Sequence, residues 1–164
     1  MNRSATLMRR RAARISEHGL TLLELVIASA ILLVLATMAV PLAQVKIKRE
    51  KELQLHRALR EFRSAIDRFK DASDRGLIAV QADTEGYPPD LETLVNGVEL
   101  AGAPDRRVRF LRRIPIDSMT NSTNWGLRCV QDPADARFWC GDNVFDVYSQ
   151  SSGVALDGTR YNEW

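Results

Sequence analysis

The chain has 164 residues, a formal net charge of +2, 27% charged residues and 45% hydrophobic residues. This size leaves room for one compact domain, or one domain with an appendage, and excludes large multidomain enzymes. Six Pro, nine Gly and charges of both signs exclude a collagen-like or wholly disordered chain. Charge is strongly segregated, because residues 20–43 contain one ionisable side chain, Glu24, whereas residues 1–19 contain five Arg and one Glu. The sequence therefore predicts an export or membrane segment at its start.

The apolar run over residues 20–43 is long enough to cross a membrane. As a helix it would span about 36 Å, and a hydrocarbon core is about 30 Å thick. No small-x-small cleavage site closes the run, as it would in an ordinary secretory signal. We therefore predict a transmembrane helix over 20–44. Basic residues flank the run on both sides, so the positive-inside rule does not decide its orientation.

A short signature lies at the start of this run. A basic leader ends in Arg14-Ile-Ser-Glu-His-Gly19, and Leu20-Thr-Leu-Leu-Glu24 follows directly. The signature resembles that of type IV prepilins and pseudopilins. The resemblance implies a leader over 1–19, cleavage by prepilin peptidase after Gly19, N-methylation of Leu20 and a role for Glu24 in subunit assembly. One departure concerns methylation, because the family usually has Phe where this chain has Leu20.

Glu24 has two interpretations on physical grounds. A carboxylate in an apolar helix needs a cationic partner, and after cleavage the nearest one is the ammonium group of Leu20, supplied in an assembly by the adjacent subunit. Alternatively, Thr21-x-x-Glu24 is a capping box that satisfies the first amides of the helix. The two interpretations are compatible with each other.

Pro41 lies near the end of the apolar run. Its ring removes one helical hydrogen bond and clashes with the carbonyl of Thr37, which predicts a kink or local melting of the helix. A bend at this place would serve either as a simple membrane exit or in the filament, as the resemblance to pilins implies.

The helix is predicted to continue over 45–75 as an amphipathic segment. Gly76 follows and would end it. Its apolar side chains recur at spacings of four and three residues, which places them on one face. A coiled coil is the alternative, but the aromatic side chains and flanking Ala favour packing against the chain's own domain. The stripe consists of Leu55, Leu59, Phe62, Ile66 and Phe69.

The remainder, 76–164, is predicted to be a globular α+β domain with a short helix over 90–95 and a loop over 97–104. Its strands are expected to form one antiparallel sheet, because no crossover helices separate them. Tyr87-Pro88 and Trp125-Gly126 follow the order of similar elements in the major pseudopilin of type II secretion. The candidate strands are 108–111, 127–130, 137–140 and 143–148.

Cys129 and Cys140 are the two cysteines of the chain. On neighbouring strands of a hairpin they would lie within reach of a disulfide, which is expected if the domain lies outside the cytoplasm. Two free buried thiols are the alternative. A metal site is a poorer interpretation, because His18 and His56 do not complete a ligand set with them.

The chain has none of the common catalytic motifs, and we predict that it is not an enzyme. No cofactor is predicted to be required. The family resemblance implies one candidate metal site, a structural Ca²⁺ in the closing loop, for which Asp157 is the candidate ligand. A turn without metal is favoured, because the family's run of aspartates is missing here.

The sequence thus predicts a pilin-like α+β fold, a long N-terminal helix packed on a small antiparallel sheet. The resemblance implies a structural subunit of the pseudopilus of type II secretion, anchored by a single pass in the bacterial inner membrane with its C-terminal domain in the periplasm. Implied partners are further copies of the chain, minor pseudopilins, the inner-membrane secretion platform and prepilin peptidase. Little in the sequence indicates nucleic-acid binding. The alternatives are a pilin for adhesion, motility or DNA uptake, and a membrane-anchored periplasmic binding module.

Overall fold

A computed structural model describes the backbone of residues 21–164 and their side chains, apart from those of residues 38–40, 42 and 82. The predictions for Gly19 and Leu20 lie outside these residues. By its contacts the chain divides into two units, one ending at Leu42 and the other comprising Ala43–Trp164.

The first element is a helix of 53 residues, α1, over Leu22–Asp74. Its C-terminus is closed by Gly76, which has a φ of 65° and donates its N–H to the carbonyl of Ser73 at 2.8 Å. The N–H of Leu77 bonds to the carbonyl of Ala72, which completes the glycine-dependent helix stop. The predicted end of the helix is therefore confirmed within a residue or two.

A second helix, α2, covers Leu91–Asn96. The carboxylate of Asp90 caps it by accepting a hydrogen bond of 2.6 Å from the backbone N–H of Thr93. Leu91 and Leu94 face the core. The helix predicted over 90–95 is therefore confirmed. Short 3-10 helices cover Ala82–Thr84 and Tyr161–Glu163.

The strands form two separate antiparallel pairs and not the single sheet predicted. Strands β1 (Val98–Leu100) and β2 (Ala103–Val108) pair with each other, and β3 (Gly126–Arg128) pairs with β4 (Asp146–Tyr148). The loop predicted over 97–104 is thus mostly a hairpin, whose turn includes Gly102 with a φ of 82°. A two-stranded pair consists of edges, so Pro104 in β2 removes no central ladder bond.

The segment 137–140, predicted as a strand, is irregular in the structure. Its groups bond to other partners instead of to a strand: the carbonyl of Arg137 accepts from the hydroxyl of Tyr148 at 3.2 Å, and the indole N–H of Trp139 donates to the carbonyl of Asn143 at 2.7 Å. These side-chain bonds replace a strand ladder, which the alternation of residue types alone could not reveal.

The core of the unit Ala43–Trp164 lies on the apolar stripe of α1, whose five side chains are almost completely buried. The rings of Phe62 and Trp125 meet edge to face at 5.1 Å between centroids, and those of Phe69 and Phe110 lie 5.2 Å apart. The stripe therefore packs against the chain's own α+β region, as predicted. Together these elements form an α+β, pilin-like arrangement of one long helix and small antiparallel sheets.

Among residues 21–164, no helix is both long enough and apolar enough to cross a membrane, which differs from the span predicted over 20–44.

Candidate assembly segment and predicted site residues

The first turns of α1 expose their apolar side chains in every direction. Each residue from 21 to 37 is exposed, with Leu22 84% and Leu33 69% accessible. A helix that is apolar around its whole circumference normally has its surface covered by protein or lipid. We call residues 22–37 the assembly segment. Its large exposed side chains are Leu22, Leu23, Leu25, Val26, Ile27, Ile31, Leu32, Leu33, Val34 and Leu35.

Glu24 lies in the first turn of α1, where the positive end of the helix dipole favours a carboxylate. Its backbone N–H donates to the hydroxyl of Thr21 at 3.2 Å. Thr21 therefore supplies one of the two hydrogen bonds of the predicted capping box. The alternative, a pairing of the Glu24 carboxylate with the amine of Leu20, involves a residue outside the described ones and stays a prediction.

Pro41 lies inside α1, which continues through it as a helix. Of the two predicted outcomes, a kink or local melting, the continuous helix excludes local melting. Proline removes one N–H donor, and the helical bonds on either side suffice to keep the backbone helical. A kink at Pro41 stays a prediction.

Cys129 and Cys140 form a disulfide with an S–S distance of 1.91 Å and a Cα–Cα distance of 6.0 Å. The predicted pair is confirmed, but its predicted placement on two strands is wrong. Cys129 directly follows β3, and Cys140 lies in the irregular connection to β4. Asp132 lies beside them, with its carboxylate accepting from the N–H of Cys129 at 2.8 Å. Because both sulfurs are consumed in the bond, this group offers no thiolate to a metal.

Asp157 closes a tight turn with its carboxylate. One oxygen accepts from the N–H of Thr159 at 2.9 Å and from its hydroxyl at 2.7 Å. The hydrogen bond from the Thr159 hydroxyl is the main reason why the pKa of Asp157 lies below its usual value, and the backbone bond acts in the same direction. The absence of a metal at Asp157 stays a prediction.

The C-terminal tail is anchored on α1 through Glu52. One carboxylate oxygen of Glu52 accepts from the hydroxyl of Tyr161 and from the N–H of Leu156, both at 2.9 Å. Burial, followed by the hydrogen bond to Glu52, raises the pKa of Tyr161 to about 12. The rings of His56 and Trp164 stack at 4.1 Å. Sequence analysis missed this anchor, and its one signal was the spacing of four residues between Glu52 and His56 beside the apolar stripe.

A second anchor joins α1 to the β3–β4 pair. Arg63 donates to the carboxylate of Asp146 at 2.8 Å, and Arg128 approaches the same carboxylate at 3.6 Å. The guanidinium of Arg128 also lies 4.3 Å from the ring centre of Tyr148. At Gly126, a Cβ atom would lie 2.2 Å from that ring, so only glycine fits opposite Tyr148.

Comparison with known families agrees with the N-terminal signature. Residues 14–40 match the model for the prokaryotic N-terminal methylation motif. This match supports the pilin-like superfamily and indicates a type IV pilin-like substrate of prepilin peptidase. Comparisons with curated proteins and with solved structures gave no match. The residues matched include Gly19, Leu20 and Glu24, the three on which the sequence-based interpretation depends.

Proposed function

We propose that this chain is a structural filament subunit, cleaved after Gly19, N-methylated at Leu20 and assembled through its assembly segment. The observation that carries the proposal is the exposure of apolar side chains around the whole of 22–37, directly within the matched motif. Burying one such side chain from water contributes about 1.5–3 kcal/mol, so ten of them strongly disfavour a water-exposed segment and require cover by lipid or by the helices of other copies. The assembled helices would form the centre of the filament.

The filament we propose is the pseudopilus of a type II secretion system. Support comes from the order of Tyr87-Pro88, α2 and Trp125-Gly126, which is similar to that of its major pseudopilin. Minor pseudopilins and the inner-membrane secretion platform are then the further partners. The motif match also suits a pilin of a type IV pilus. Deleting the gene distinguishes a pseudopilin from a pilin. Loss of exoprotein secretion is expected for a pseudopilin, and loss of surface pili is expected for a pilin.

We place the subunit, before assembly, in the bacterial inner membrane through a single N-terminal segment, with the unit Ala43–Trp164 in the periplasm. Two features support this location. The matched motif is that of an exported prepilin, and the disulfide is of a kind that persists in oxidising compartments.

The central experiment tests processing and assembly in the full chain. In cells containing prepilin peptidase, mass spectrometry should find Leu20 as the N-terminus with one added methyl group, and Gly19→Val should block the cut. Glu24→Ala should leave processed monomer in the membrane and abolish filaments. Its loss leaves the Leu20 ammonium of the next copy buried without a counter-charge, at a cost of about 3–5 kcal/mol per interface.

Ser29→Ala is the matched control. Ser29 lies in the same segment, and its hydroxyl is satisfied by the carbonyl of Val26 at 2.9 Å, so this variant should form filaments normally. An intact Met1 terminus in wild-type protein would refute the processing. Normal filaments of Glu24→Ala would show that Glu24 acts only at the start of its own helix and is not needed for assembly.

We further propose that the chain is not an enzyme and needs no cofactor to fold. The first part rests on the lack of common catalytic motifs in the sequence. The second is supported by the turn at Asp157, where the N–H and hydroxyl of Thr159 already donate to one carboxylate oxygen. Chelation of Ca²⁺ should leave the melting temperature of the full chain unchanged. A fall on chelation that is absent in Asp157→Ala would instead establish a calcium site in the tail.

A further inference from the structure

A groove rich in arginine runs between α1 and the segment 109–116. Two adjoining clefts form it, and Glu61 lines both of them. Five arginines line these clefts. All five are exposed, and none of them forms an ion pair with another residue within 21–164. Guanidinium groups favour planar carboxylate partners, which they bind with two parallel hydrogen bonds. We call this surface the arginine groove; its arginines are Arg57, Arg68, Arg109, Arg112 and Arg113.

One rim of the arginine groove is apolar. Ile116 is 63% accessible and lines the groove together with Ile114 and Pro115. An acidic partner that also carries an apolar side chain would therefore fit this surface better than a small anion would.

The connection from β3 to β4 has the complementary character. Residues 130–142, which we call the acidic loop, contain three Asp and one Arg. Asp135 and Asp142 are exposed and form no ion pair in the described part of the chain. Phe138 is 89% accessible, the most exposed large apolar side chain among those described in 43–164. The disulfide and the hydrogen bond from Trp139 to Asn143 restrain the loop, which lowers the entropy cost of binding.

These two surfaces lie on opposite sides of α1. Glu61 faces the arginine groove, whereas Arg63 pairs with Asp146 of β4, next to the acidic loop. Two residues along a helix correspond to a rotation of about 200°. The groove of one copy can therefore receive the loop of another copy. A contact of this kind joins two different surfaces, and its repetition gives an open filament wherever the rotation between copies does not close a ring.

We propose that the acidic loop of one copy docks into the arginine groove of the next copy. Asp135 and Asp142 pair with the groove arginines, and Phe138 packs against Ile116. This inference rests on the proposed filament function and gives it a second interface, formed by the unit Ala43–Trp164 and distinct from the assembly segment.

Site-specific photo-crosslinking in the full chain tests the contact. With p-benzoylphenylalanine in place of Phe138, irradiated cells should yield crosslinked copies of the chain, and the crosslinked peptide should contain residues from 109–116. The same probe at Leu77, which is exposed beyond the end of α1, should not label that peptide.

Exchanging the charges of the two surfaces provides a second test of the contact. Arg112→Glu with Arg113→Glu should lower the crosslink yield more than about tenfold, because like charges then face each other. Adding Asp135→Arg and Asp142→Arg to the same chain should restore it. Those two loop substitutions alone should lower the yield similarly.

Several results would overturn the inference. These are an absence of crosslinked copies, crosslinks from Phe138 to a different peptide, yields that do not respond to the charge exchange, or capture of nucleic acid by the same probe at Ile116. Microscopy of wild-type filaments decides the proposed function separately. Filaments with crosslinks elsewhere would leave the function standing and remove this interface alone.

Discussion

Two stretches of α1 differ in whether their apolar side chains are buried by the rest of the chain. Residues 22–37 are apolar around the whole circumference and exposed, whereas residues 55–69 have one apolar stripe and bury it. The stripe matches a partner on one side, which the same chain supplies through Trp125 and Phe110. A uniformly apolar surface needs cover on all sides, which one small domain cannot provide. The angular width of the apolar surface thus distinguishes a segment covered within its own unit from one that needs cover from protein or lipid outside it.

The largest effect expected from this difference is on stability. Phe62 is fully buried and packs edge to face on Trp125, so Phe62→Ala should lower the free energy of unfolding by about 3–5 kcal/mol. Leu32 is exposed in the assembly segment, and Leu32→Ala should change it by less than about 0.5 kcal/mol. Urea unfolding of the full chain in mild detergent, followed by tryptophan fluorescence, measures both.

The comparison between the two stretches would fail if Leu32→Ala destabilised the monomer as strongly as Phe62→Ala. A lower filament yield of Leu32→Ala with unchanged monomer stability would support it. That result would show that Leu32 is buried by other copies, whereas Phe62 is buried within the chain.

The next effect concerns the disulfide, which lies in the unit Ala43–Trp164. Replacing both Cys129 and Cys140 by Ser should lower the free energy of unfolding by about 2–3 kcal/mol, since the bond restricts a short loop in the unfolded chain. Reduction of the wild-type protein should produce the same loss. Equal stability with and without the bond would contradict this account.

The spacing of apolar residues and the residues that begin and end helices predicted the helical part of the fold well. The stripe of α1, the stop at Gly76 and the cap at Asp90 depend on local residue patterns, and all three are confirmed. The strands were predicted less well, because strands of three to six residues are too short to show a clear alternation of apolar and polar side chains. The tertiary bonds of Trp139 and Tyr148, which determine the course of 137–140, have no local signature.

The candidate site shows the same division. Gly19, Leu20 and Glu24 were recognisable because a motif with fixed spacing carries them, and the family match covers them. The tail anchor was not recognisable, because Glu52 and Tyr161 are 109 residues apart in sequence and become neighbours only when the chain folds. The arginine groove likewise draws its side chains from two distant segments.

The smallest expected effect is an alkaline sensitivity of the tail anchor. The neutral hydroxyl of Tyr161 is favoured in the folded chain, where its pKa is raised to about 12. The contribution of this group is therefore complete below the unfolded pKa of about 10 and is lost as the pH rises through 10 to 12. At pH 11 the loss is about 1 kcal/mol relative to Tyr161→Phe, which cannot ionise. Unfolding free energies at pH 8 and pH 11 measure this difference.

Tyr87→Phe is the matched control for the alkaline measurement, because it removes a phenol and leaves Tyr161 bonded to Glu52. This variant should keep the alkaline loss, and Tyr161→Phe should not. Leu32→Ala should keep the alkaline loss as well, because the anchor joins the tail to α1 at Glu52, within the unit Ala43–Trp164. Equal alkaline losses in Tyr161→Phe and wild type would show that the tail is held by the packing of Trp164 on His56 and not by the phenol.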